Sequence, residues 1–362
     1  MRISVLLEKF KKGLNAVDKI IASKNTLPIL NNVLIKTEEG QVVLSATDLE
    51  IGINYYLGGK IEGEGSITVP GKVLNSFVNS LNEEKITLES VNGVLSAKTE
   101  KSEANINGMA ADEFPIIPKI IGKEVLEIDG MVLKSALSQV MFSVSYDESR
   151  PVLTGVYFMV GDNTLKMVAT DSYRLAEKTI NIPTNNKTSF IIPIKTIQEL
   201  HRIISGGEKI KIIVSENQVM FLLPDMDITS RIIEGDYPDY EQIIPKAFKT
   251  HTIVSTAELA NTIKTASFFA RENANNVKIT LHKDHLLIEA TSSQLGNFKA
   301  QIKCVVEGEE NEVSFNARYL LDALGGVDSA KVKLEMIGKI NPGVIRPESG
   351  QGTMYIIMPL RS

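Results

Sequence analysis

The side chains best suited to catalysis or to metal binding are few, and their spacing matches no known pattern of either. The four histidines are His201, His251, His282 and His285. None belongs to a His-Glu-x-x-His pattern, which places two zinc ligands on one helix face. His282 and His285 flank a predicted turn, so a surface role is favoured for both. We therefore predict no metal site and no cofactor.

The remaining candidates for chemistry also favour structural roles. The single cysteine, Cys304, excludes an intramolecular disulfide, as is usual in a reducing compartment. We interpret it as a small, buried or semi-buried apolar residue. Asp48 and Asp171 follow the same Ala-Thr pair, but the third occurrence has Ser292, so turn or hydrogen-bonding roles are favoured over a catalytic pair. The sequence has neither a Walker A nor a Gly-x-Gly-x-x-Gly motif, so we predict that the protein is not an enzyme.

These residues belong to a pattern that repeats at the length of a whole domain. Pro70, Pro193 and Asn316 each precede an apolar stretch and a basic residue, at successive spacings of 123 residues. The Ala-Thr-Asp motif recurs at 123 residues, and a Phe/Tyr-Pro motif does so as well, at 114–115 and 237–238. Short repeats would indicate a solenoid. This period predicts three copies of one domain, at residues 1–121, 122–248 and 249–362.

Each copy combines helical and strand patterns. The first apolar stripe at helical spacing runs through Leu6, Phe10, Leu14, Val17 and Ile21, and 133–144 and 259–269 carry its counterparts. Second helices are predicted at 71–81, 194–205 and 316–325. Turn residues such as Glu39-Gly40 and Asn92-Gly93 separate alternating runs and predict hairpins. The expected fold class is α+β, with two helices packed on antiparallel sheets of about eight strands in each copy.

The overall composition restricts the function further. The chain has 362 residues, 43% apolar residues and a formal net charge of −5, so binding to nucleic acid would require local positive charge. The N-terminal apolar stretch is too short for a signal peptide, and no run reaches the ~18 apolar residues of a membrane span. We expect a soluble, cytoplasmic protein with no membrane partner.

Six motifs resemble one known family. They lie at 23–30, 46–50, 111–115, 168–176, 235–240 and 355–361, and the most specific of them reads Val-Ala-Thr-Asp-Ser-Tyr-Arg-Leu-Ala. Each motif is weak alone, but together they cover almost the full length in family order. The chain thus resembles the bacterial DNA polymerase III β subunits, the sliding clamps.

The resemblance implies a ring-forming DNA clamp fold and a function without catalysis. Two chains would join head to tail as a homodimer, encircle double-stranded DNA without reading its sequence, and confer processivity on the replicative polymerase. The implied partners are the DNA polymerase III α subunit, the clamp-loader ATPase, and other polymerases and repair proteins with clamp-binding peptides. The implied location is the bacterial cytoplasm, at the nucleoid during replication.

The helices and the matched loop supply candidates for the DNA-facing and dimer surfaces. The DNA-facing candidates are Lys9, Lys12, Lys24, Lys72, Lys134, Lys195, Arg202, Lys264 and Arg318. Lys24, in the matched loop, is expected to contact DNA more directly. An ordinary solvated helix face remains the alternative for each. Phe268 and Phe269 are candidates for the dimer interface, with a local core as the alternative.

The family's partner-peptide pocket predicts a second site. Its matching positions are Arg150, Leu153, Thr154, Gly155, Thr170, Tyr173, Arg174, Leu175, Pro238, Ile243, Pro342, Ile356, Met358, Pro359, Leu360 and Arg361. Many family members carry histidine where Tyr173 stands, so the selectivity of this pocket stays open. A three-domain peptide-binding scaffold that never encircles DNA is the alternative class. Retention on circular but not on linear DNA would distinguish a ring from such a scaffold.

Overall fold

The computed structural model describes residues 1–21, 27–350 and 352–360 of the chain. The helices in this part of the chain are α1 (Leu7–Val17), α2 (Gly71–Ser80), α3 (Gly130–Val140), α4 (Ile194–Ile203), α5 (Thr256–Ala270) and α6 (Ala317–Gly325). Short 3-10 turns lie at Pro28–Asn31, Ala111–Glu113, Met141–Ser143, Pro151–Leu153 and Tyr240–Ile243. The helices at 71–80, 194–203 and 317–325 confirm the three second-helix predictions to within two residues.

The strands, in chain order, are β1 (Arg2–Leu6), β2 (Asn32–Glu38), β3 (Gln41–Thr47), β4 (Ile51–Leu57), β5 (Lys60–Gly63), β6 (Ser66–Pro70), β7 (Lys85–Val91), β8 (Val94–Lys98), β9 (Glu103–Asn107), β10 (Lys123–Asp129), β11 (Gly155–Gly161), β12 (Thr164–Thr170), β13 (Arg174–Asn181), β14 (Thr188–Pro193), β15 (Lys209–Val214), β16 (Gln218–Leu223), β17 (Met226–Arg231), β18 (Thr250–Ser255), β19 (Asn276–His282), β20 (His285–Ser292), β21 (Gly296–Lys303), β22 (Val306–Gly308), β23 (Asn311–Asn316), β24 (Lys331–Met336), β25 (Gly343–Pro347) and β26 (Thr353–Ile357). The predicted hairpin turns at 39–40 and 92–93 join β2 to β3 and β7 to β8.

The chain forms two compact units. Unit 1 comprises Met1–Met131 and Arg202–Ile232, and unit 2 comprises Val132–His201 and Ile233–Ser362. Unit 1 holds a five-stranded sheet, β5-β1-β7-β8-β9, and an eight-stranded sheet, β10-β15-β16-β17-β4-β3-β2-β6. Unit 2 holds a nine-stranded sheet, β14-β11-β12-β13-β26-β25-β24-β18-β22, and a four-stranded sheet, β21-β20-β19-β23. These named strands pair only in the antiparallel sense.

The two large sheets join strands of different sequence repeats. In the eight-stranded sheet, β4 of the first repeat pairs with β17 of the second, with Ile53 opposite Ile228. In the nine-stranded sheet, β13 of the second repeat pairs with β26 of the third, with Leu175 opposite Ile356. Three sequence repeats therefore give two structural units, because the sheet hydrogen bonds cross the repeat boundaries. The predicted boundaries near 121 and 248 fall just before β10 and β18 and stay a prediction.

The first helix of each repeat buries most of its apolar stripe, but α1 and α3 are shorter than the predicted stripes, whereas α5 contains the whole of 259–269. Phe10 and Leu14 of α1 are fully buried, and burying side chains of this size contributes about 2 kcal/mol each. The sequence prediction extended the stripe beyond the ends of α1 and α3, however. Leu6 belongs to β1 and is 41% exposed, whereas Ile21 lies beyond the end of α1 and Val144 beyond the end of α3.

Each repeat opens with a strand rather than with a helix, which corrects the sequence prediction. In the first repeat, Ile3 and Val5 of β1 are buried and alternate with less buried neighbours, and Leu7 continues the buried side as the first residue of α1. Strand and helix follow without a turn, so the two apolar periods merge into one run. The strands β10 and β18 precede α3 and α5 in the same way.

Candidate functional site

The predicted peptide-pocket residues of unit 2 meet where β13, β26 and β25 lie side by side. Arg174 of β13 is opposite Ile357 of β26, and Ile357 is also opposite Gly343 of β25. Past the end of β26, the Met358 amide donates a hydrogen bond of 2.9 Å to the Tyr173 carbonyl. The pairing thus brings residues of the second and third repeats to one end of β13 and β26, the neighbouring strands near the middle of the nine-stranded sheet.

The turn between β12 and β13 presents Tyr173 to solvent. The Thr170 hydroxyl donates to the Arg174 carbonyl at 2.6 Å, and Asp171 Oδ1 accepts from the amides of Tyr173 and Arg174, both at 2.9 Å. Ser172 adopts a left-handed conformation with φ of 77°. This closed turn leaves the Tyr173 side chain 62% exposed. The turn after β3 repeats the geometry with Asp48, which confirms turn roles for both aspartates.

Arg174 ties this turn to two other parts of unit 2. Its Nε donates to Asp171 Oδ2 at 3.1 Å, its Nη1 donates to Asp322 of α6, and its Nη2 donates to the Phe142 carbonyl at 2.7 Å. The guanidinium also lies 4.6 Å from the ring centroid of Tyr319. A planar group with five donors can satisfy all of these partners at once. Arg174 is therefore an anchor of the turn, with a side chain only 12% exposed.

The segment before β11 supplies the next predicted residues. Arg150 donates to the Ser172 hydroxyl at 2.7 Å and to Asp147 at 3.0 Å, so it borders the same turn. Leu153 is buried at the end of a 3-10 turn, and Thr154 follows it, half-buried. Gly155 begins β11 where a Cβ would lie 2.4 Å from the Ile192 carbonyl, so any larger residue would push the two strands apart. These residues form one side of the candidate pocket.

The floor of the site is an apolar cluster. Its buried members are Val168, Leu175, Tyr240, Val344, Met354 and Ile356. Leu175 and Ile356 are 1% exposed, so they support the surface from below. The Tyr240 hydroxyl donates to Glu177 at 2.7 Å, and burial together with this bond raises the pKa of Tyr240 far above its ordinary value.

The other pocket candidates lie along the rim or fall outside the described residues. Pro238 and Ile243 are exposed, while Pro342, Met358, Pro359 and Leu360 are half-buried. Arg361, like the DNA candidate Lys24, lies outside the described residues. The sequence did not point to Asp322, Tyr319 or Phe142 as partners of Arg174, because their contacts join positions far apart in the chain. Tyr240, also missed, does stand in the motif at 235–240.

The DNA-facing candidates differ in how their charges are used. Lys9, Lys72, Lys264 and Arg318 are exposed, and their side chains have no ion pair within the described part of the chain. Lys12 pairs with Asp225 at 3.2 Å. Arg202 donates to the carbonyls of residues 15 and 16 near the end of α1, at 3.1 and 2.8 Å. Lys195 is exposed and Lys134 half-buried.

The two phenylalanines at the end of α5 have different surroundings. Phe268 is 48% exposed, with the Arg271 guanidinium 5.5 Å from its ring centroid. Phe269 is half-buried and stacks on Phe298 of β21, with ring centroids 6.0 Å apart. Among the described strands, β21 pairs only with β20, and β9 at the edge of the five-stranded sheet pairs only with β8. Phe269 thus lies against an open sheet edge.

The residues considered for chemistry occupy structural positions. His282 and His285 face each other across the β19–β20 hairpin, and they contact Glu310 and Asp284 at 3.1 and 2.6 Å. Cys304 is half-buried. In the described part of the chain, no group of three His, Cys, Asp or Glu side chains could hold a metal ion. Among the same residues, no helix has the length and apolar character of a membrane span.

Two helices per repeat on antiparallel sheets that continue between repeats define the DNA clamp class of fold. Three family models match in succession: the N-terminal domain of the DNA polymerase III beta subunit at residues 1–118, the central domain at 127–239 and the C-terminal domain at 241–361. The chain belongs to the DNA polymerase III β subunit family.

Individual relatives agree over the full length. The chain is 31% identical to the beta sliding clamps of Staphylococcus epidermidis and Staphylococcus aureus, with all of each chain covered. The solved structure of the DNA polymerase sliding clamp from Bacillus subtilis has 31% identity and a TM-score of 0.96, covering 100% of this chain and 99% of the other. The DNA polymerase III beta subunit from Thermotoga maritima has 27% identity and a TM-score of 0.94 at the same coverage.

The family assigns the general function. The chain is a DNA sliding clamp, a non-catalytic processivity factor that acts as a homodimeric ring with DNA and polymerase as its partners. This confirms the predicted family, the α+β clamp fold and the absence of an enzymatic role. The assignments of individual residues to DNA, to the dimer contact and to the peptide pocket stay predictions.

Proposed function

We propose that the surface around Tyr173 and Met358, at one end of β13 and β26, docks the short clamp-binding peptides of partner proteins. The observation that carries the proposal is the β13–β26 pairing, extended by the bond from the Met358 amide to the Tyr173 carbonyl. It joins an exposed aromatic ring and a half-buried, adaptable thioether above the buried apolar cluster of unit 2. A peptide with apolar anchors and a few polar groups suits such a surface.

The partners of this site would be the proteins that load or use the clamp. We expect the DNA polymerase III α subunit, the clamp-loader ATPase, and other polymerases and repair proteins to compete for it, since each would present a similar peptide. The arrangement of Arg150 and Arg174 supports a preformed site, because both side chains bond to residues of the turn that carries Tyr173, namely Ser172 and Asp171. A preformed site requires less ordering on binding, which favours affinity.

Fluorescence anisotropy with a labelled peptide that contains Gln and Leu tests the docking site. Tyr173→Ala and Met358→Ala should each weaken binding by about tenfold, the usual loss for a central contact residue. Val305→Ala is the matched control, because Val305 is 77% exposed beside β22 at the other end of the sheet and lies outside the candidate set. Unchanged affinity in both pocket variants, or an equal loss in the control, would contradict the proposed position.

We further propose that the free edges of β9 and β21 meet in the head-to-tail dimer. An open strand edge presents unpaired amides and carbonyls, and pairing with another chain covers them. Because the two edges belong to different sheets of one chain, a head-to-tail contact uses both and closes into a ring. Phe268 and Phe269 would lie in this contact, since Phe269 stacks on Phe298 of β21.

Ring closure around DNA is tested by loading the protein onto nicked circular and linear plasmids with a clamp loader. A ring stays on the circle and slides off the free ends, so gel filtration should recover it only with circular DNA. Equal retention on both plasmids would favour the scaffold that binds peptides without encircling DNA. Sliding itself requires few contacts, because each neutralised phosphate adds salt-dependent affinity.

The DNA-facing surface is tested by reversing the charges of exposed helix side chains that form no ion pair in the described part of the chain. The triple variant Lys72→Glu, Lys264→Glu and Arg318→Glu should be recovered on circular DNA in smaller amounts than the wild type after loading at low salt. Its recovery should also fall less steeply as salt is raised, because it neutralises fewer phosphates. Lys85, Lys246 and Lys283 are the matched control: they are exposed, lie in a strand or loops, and lose the same charge in the corresponding variant. Equal retention of both variants would remove the helix assignment.

We also retain residues 1–121, 122–248 and 249–362 as the three clamp domains, and the bacterial cytoplasm as the location. The 123-residue period supports the division, and the positions of β10 and β18 agree with it. Limited proteolysis, with cleavage sites read by mass spectrometry, should cut first near 121 and 248. Fluorescence microscopy of a tagged chain should show foci on the nucleoid only during replication.

A further inference from the structure

A pair of histidines at one end of the four-stranded sheet has no part in the clamp function. His282 ends β19 and His285 begins β20, and the two residues are opposite each other in the register of the hairpin. Their ring centroids lie 4.7 Å apart, with an angle of 30° between the ring planes. Their spacing along the chain matches no metal-binding motif, so the sequence predicted no metal site, but the hairpin brings the two imidazoles together.

Both rings lie on the solvent-facing side of the sheet. Ile279 and Leu281 of β19 are fully buried, and successive side chains of a strand point to opposite faces, so His282 points away from that core. Residues opposite each other in an antiparallel pair share a face, so His285 lies on the same side. The two side chains are 31% and 23% exposed, which leaves them accessible to a small ion.

Each ring has a carboxylate at its Nδ1 atom. Glu310 Oε1 lies 3.1 Å from Nδ1 of His282. Asp284 Oδ1 lies 2.6 Å from Nδ1 of His285, and this bond holds the pKa of Asp284 below its ordinary value. An ionised carboxylate can only accept a hydrogen bond, so the Nδ1 atom donates. In a neutral imidazole of this tautomer, the lone pair is on Nε2.

The same arrangement is found in histidines that bind metals. A histidine that ligates a metal ion usually donates its other ring hydrogen to a carboxylate or a carbonyl, which fixes the tautomer and raises the basicity of the ligating nitrogen. Two nitrogen ligands of a tetrahedral zinc ion, at about 2.0–2.1 Å from the metal, lie about 3.4 Å from each other. Two rings with centroids 4.7 Å apart can bring their Nε2 atoms to this separation by rotation of the side chains alone.

The hairpin that carries the pair is fixed to the chain around it. The Cys304 amide donates to the Asp284 carbonyl at 3.2 Å. The Val306 amide donates to the Lys283 carbonyl at 3.1 Å. The strand β20 also pairs with β21 over its whole length. Binding of an ion would therefore order two side chains and leave the backbone as it is, which favours affinity.

The charges around the pair are compatible with a bound cation. Two carboxylates contact the rings directly and would offset part of the charge of a divalent ion. Lys283 in the turn and Lys303, opposite His285 on β21, are the nearest cations in register. Both lysines are exposed, so their ammonium groups can extend into water and away from the ion.

We propose that His282 and His285 bind a divalent transition-metal ion of the kind that prefers imidazole, such as Zn²⁺, through their Nε2 atoms. Neutral imidazole suits Zn²⁺, Cu²⁺ and Ni²⁺, whereas Mg²⁺ and Ca²⁺ prefer oxygen ligands. Water completes the coordination, because the described residues supply no group of three ligands. The ion links β19 to β20 and stabilises this end of the sheet. The site is independent of the docking surface around Tyr173.

Isothermal titration calorimetry with zinc chloride tests the site in the untagged, full-length protein. The wild type should bind one ion per chain, whereas His282→Gln and His285→Gln should each weaken binding by at least about tenfold, because each removes one of two protein ligands. His201→Gln and His251→Gln are the matched controls, since each removes a histidine elsewhere in the chain and should leave the affinity unchanged. Magnesium chloride at the same concentration should give no binding heat.

The carboxylate beside His282 distinguishes a built site from an adventitious surface contact. Loss of a carboxylate that holds a ligating histidine weakens metal binding by about 10- to 100-fold, so Glu310→Ala should do the same here. Glu309→Ala removes the neighbouring exposed carboxylate, which does not contact either ring, and should change the affinity by less than about threefold.

Hydrogen exchange read by mass spectrometry reports whether the ion links the two strands. The ion binds only the closed hairpin, so zinc at about 100 times its dissociation constant should make local opening about 100-fold rarer. Exchange of the amides in 276–292 should slow accordingly. The hairpin at 155–170, which has the corresponding place in the second repeat, is the internal control and should exchange at an unchanged rate.

Three outcomes would overturn the proposal. The first is no zinc binding in the wild type, or binding that is unchanged in His282→Gln and His285→Gln. The second is an equal affinity in Glu310→Ala and Glu309→Ala, which would indicate an adventitious contact. The third is binding of magnesium as tight as that of zinc, which would indicate a site made of oxygen ligands.

Discussion

Replacement of Arg174 by methionine should loosen the junction between β13 and β26. The guanidinium donates to Asp171, to Asp322 and to the Phe142 carbonyl, and it is 12% exposed. Methionine keeps part of the apolar contact with Tyr319 but none of the donors. The Asp171 carboxylate, 15% exposed, would lose its charged partner.

The magnitude follows from the exposure of each partner. A hydrogen bond to a charged group contributes about 1.5–3 kcal/mol when it is shielded from water, which applies to Asp171 and to the Phe142 carbonyl. Asp322 is 45% exposed, so its contribution is reduced by solvent to about 0.5 kcal/mol. Since the replacement methionine recovers some packing, we expect a net loss of about 3 kcal/mol.

Amide hydrogen exchange measures this loss at the junction itself. Because the chain has several domains, amide exchange reports on one strand pair more directly than a global unfolding curve does. The Met358 amide donates to the Tyr173 carbonyl, so its exchange rate follows local opening of the junction. A loss of about 3 kcal/mol accelerates exchange about 100-fold. Arg174→Lys, which keeps the charge but only one nitrogen, should accelerate it about tenfold.

Arg150→Met is the matched control for this experiment. Arg150 borders the same turn, but its side chain is 43% exposed and its partner Asp147 is 46% exposed. Such a pair contributes about 0.5 kcal/mol, so exchange of the Met358 amide should rise no more than about threefold. Equal acceleration in Arg150→Met and Arg174→Met would refute the argument that burial of the Arg174 network holds the junction.

Three further predictions concern other parts of the molecule. Burial raises the pKa of Asp227, so the wild type should lose unfolding free energy as pH rises from about 4 through the raised pKa, and Asp227→Asn should not; parallel urea-derived pH profiles would contradict this. Tyr240→Phe removes the bond to Glu177 and should cost about 1–2 kcal/mol in thermal unfolding, and an unchanged melting temperature would refute its role. Phe269→Ala should shift the protein from dimer to monomer in sedimentation velocity, whereas Phe10→Leu should not, and an intact Phe269→Ala dimer would place this ring in a local core.

Much of the repeat architecture was readable from the sequence because it depends on local patterns. The second helices were predicted to within two residues by their periodicity and by the residues that begin and end them. Glycines at 206 and 207, both with positive φ, lie in the turn between the end of α4 at Ile203 and the start of β15. The Thr-Asp turns were also readable, since their side chains bond to amides two or three residues away.

The strand that opens the first repeat was missed because its apolar pattern runs directly into that of the following helix. In β1 the buried side chains alternate at a period of two and pass directly into the helical period of α1. In the first repeat no glycine, proline or polar residue marks the change, so the run resembles one extended helix. In the other two repeats, Asp129-Gly130 and the N-cap Ser255 do mark it, and the sequence prediction overlooked them. Only the pairing of β1 with β5 and β7 decides where the strand ends.

The sequence by itself determined three copies of an α+β domain, the turns between their strands, and the family to which the chain belongs. Tertiary structure alone decided that three repeats form two units. The pairings of β4 with β17 and of β13 with β26 depend on which strand ends lie side by side in space, and no local pattern encodes this. It also decided the partners of Arg174, which include Asp322, 148 positions away.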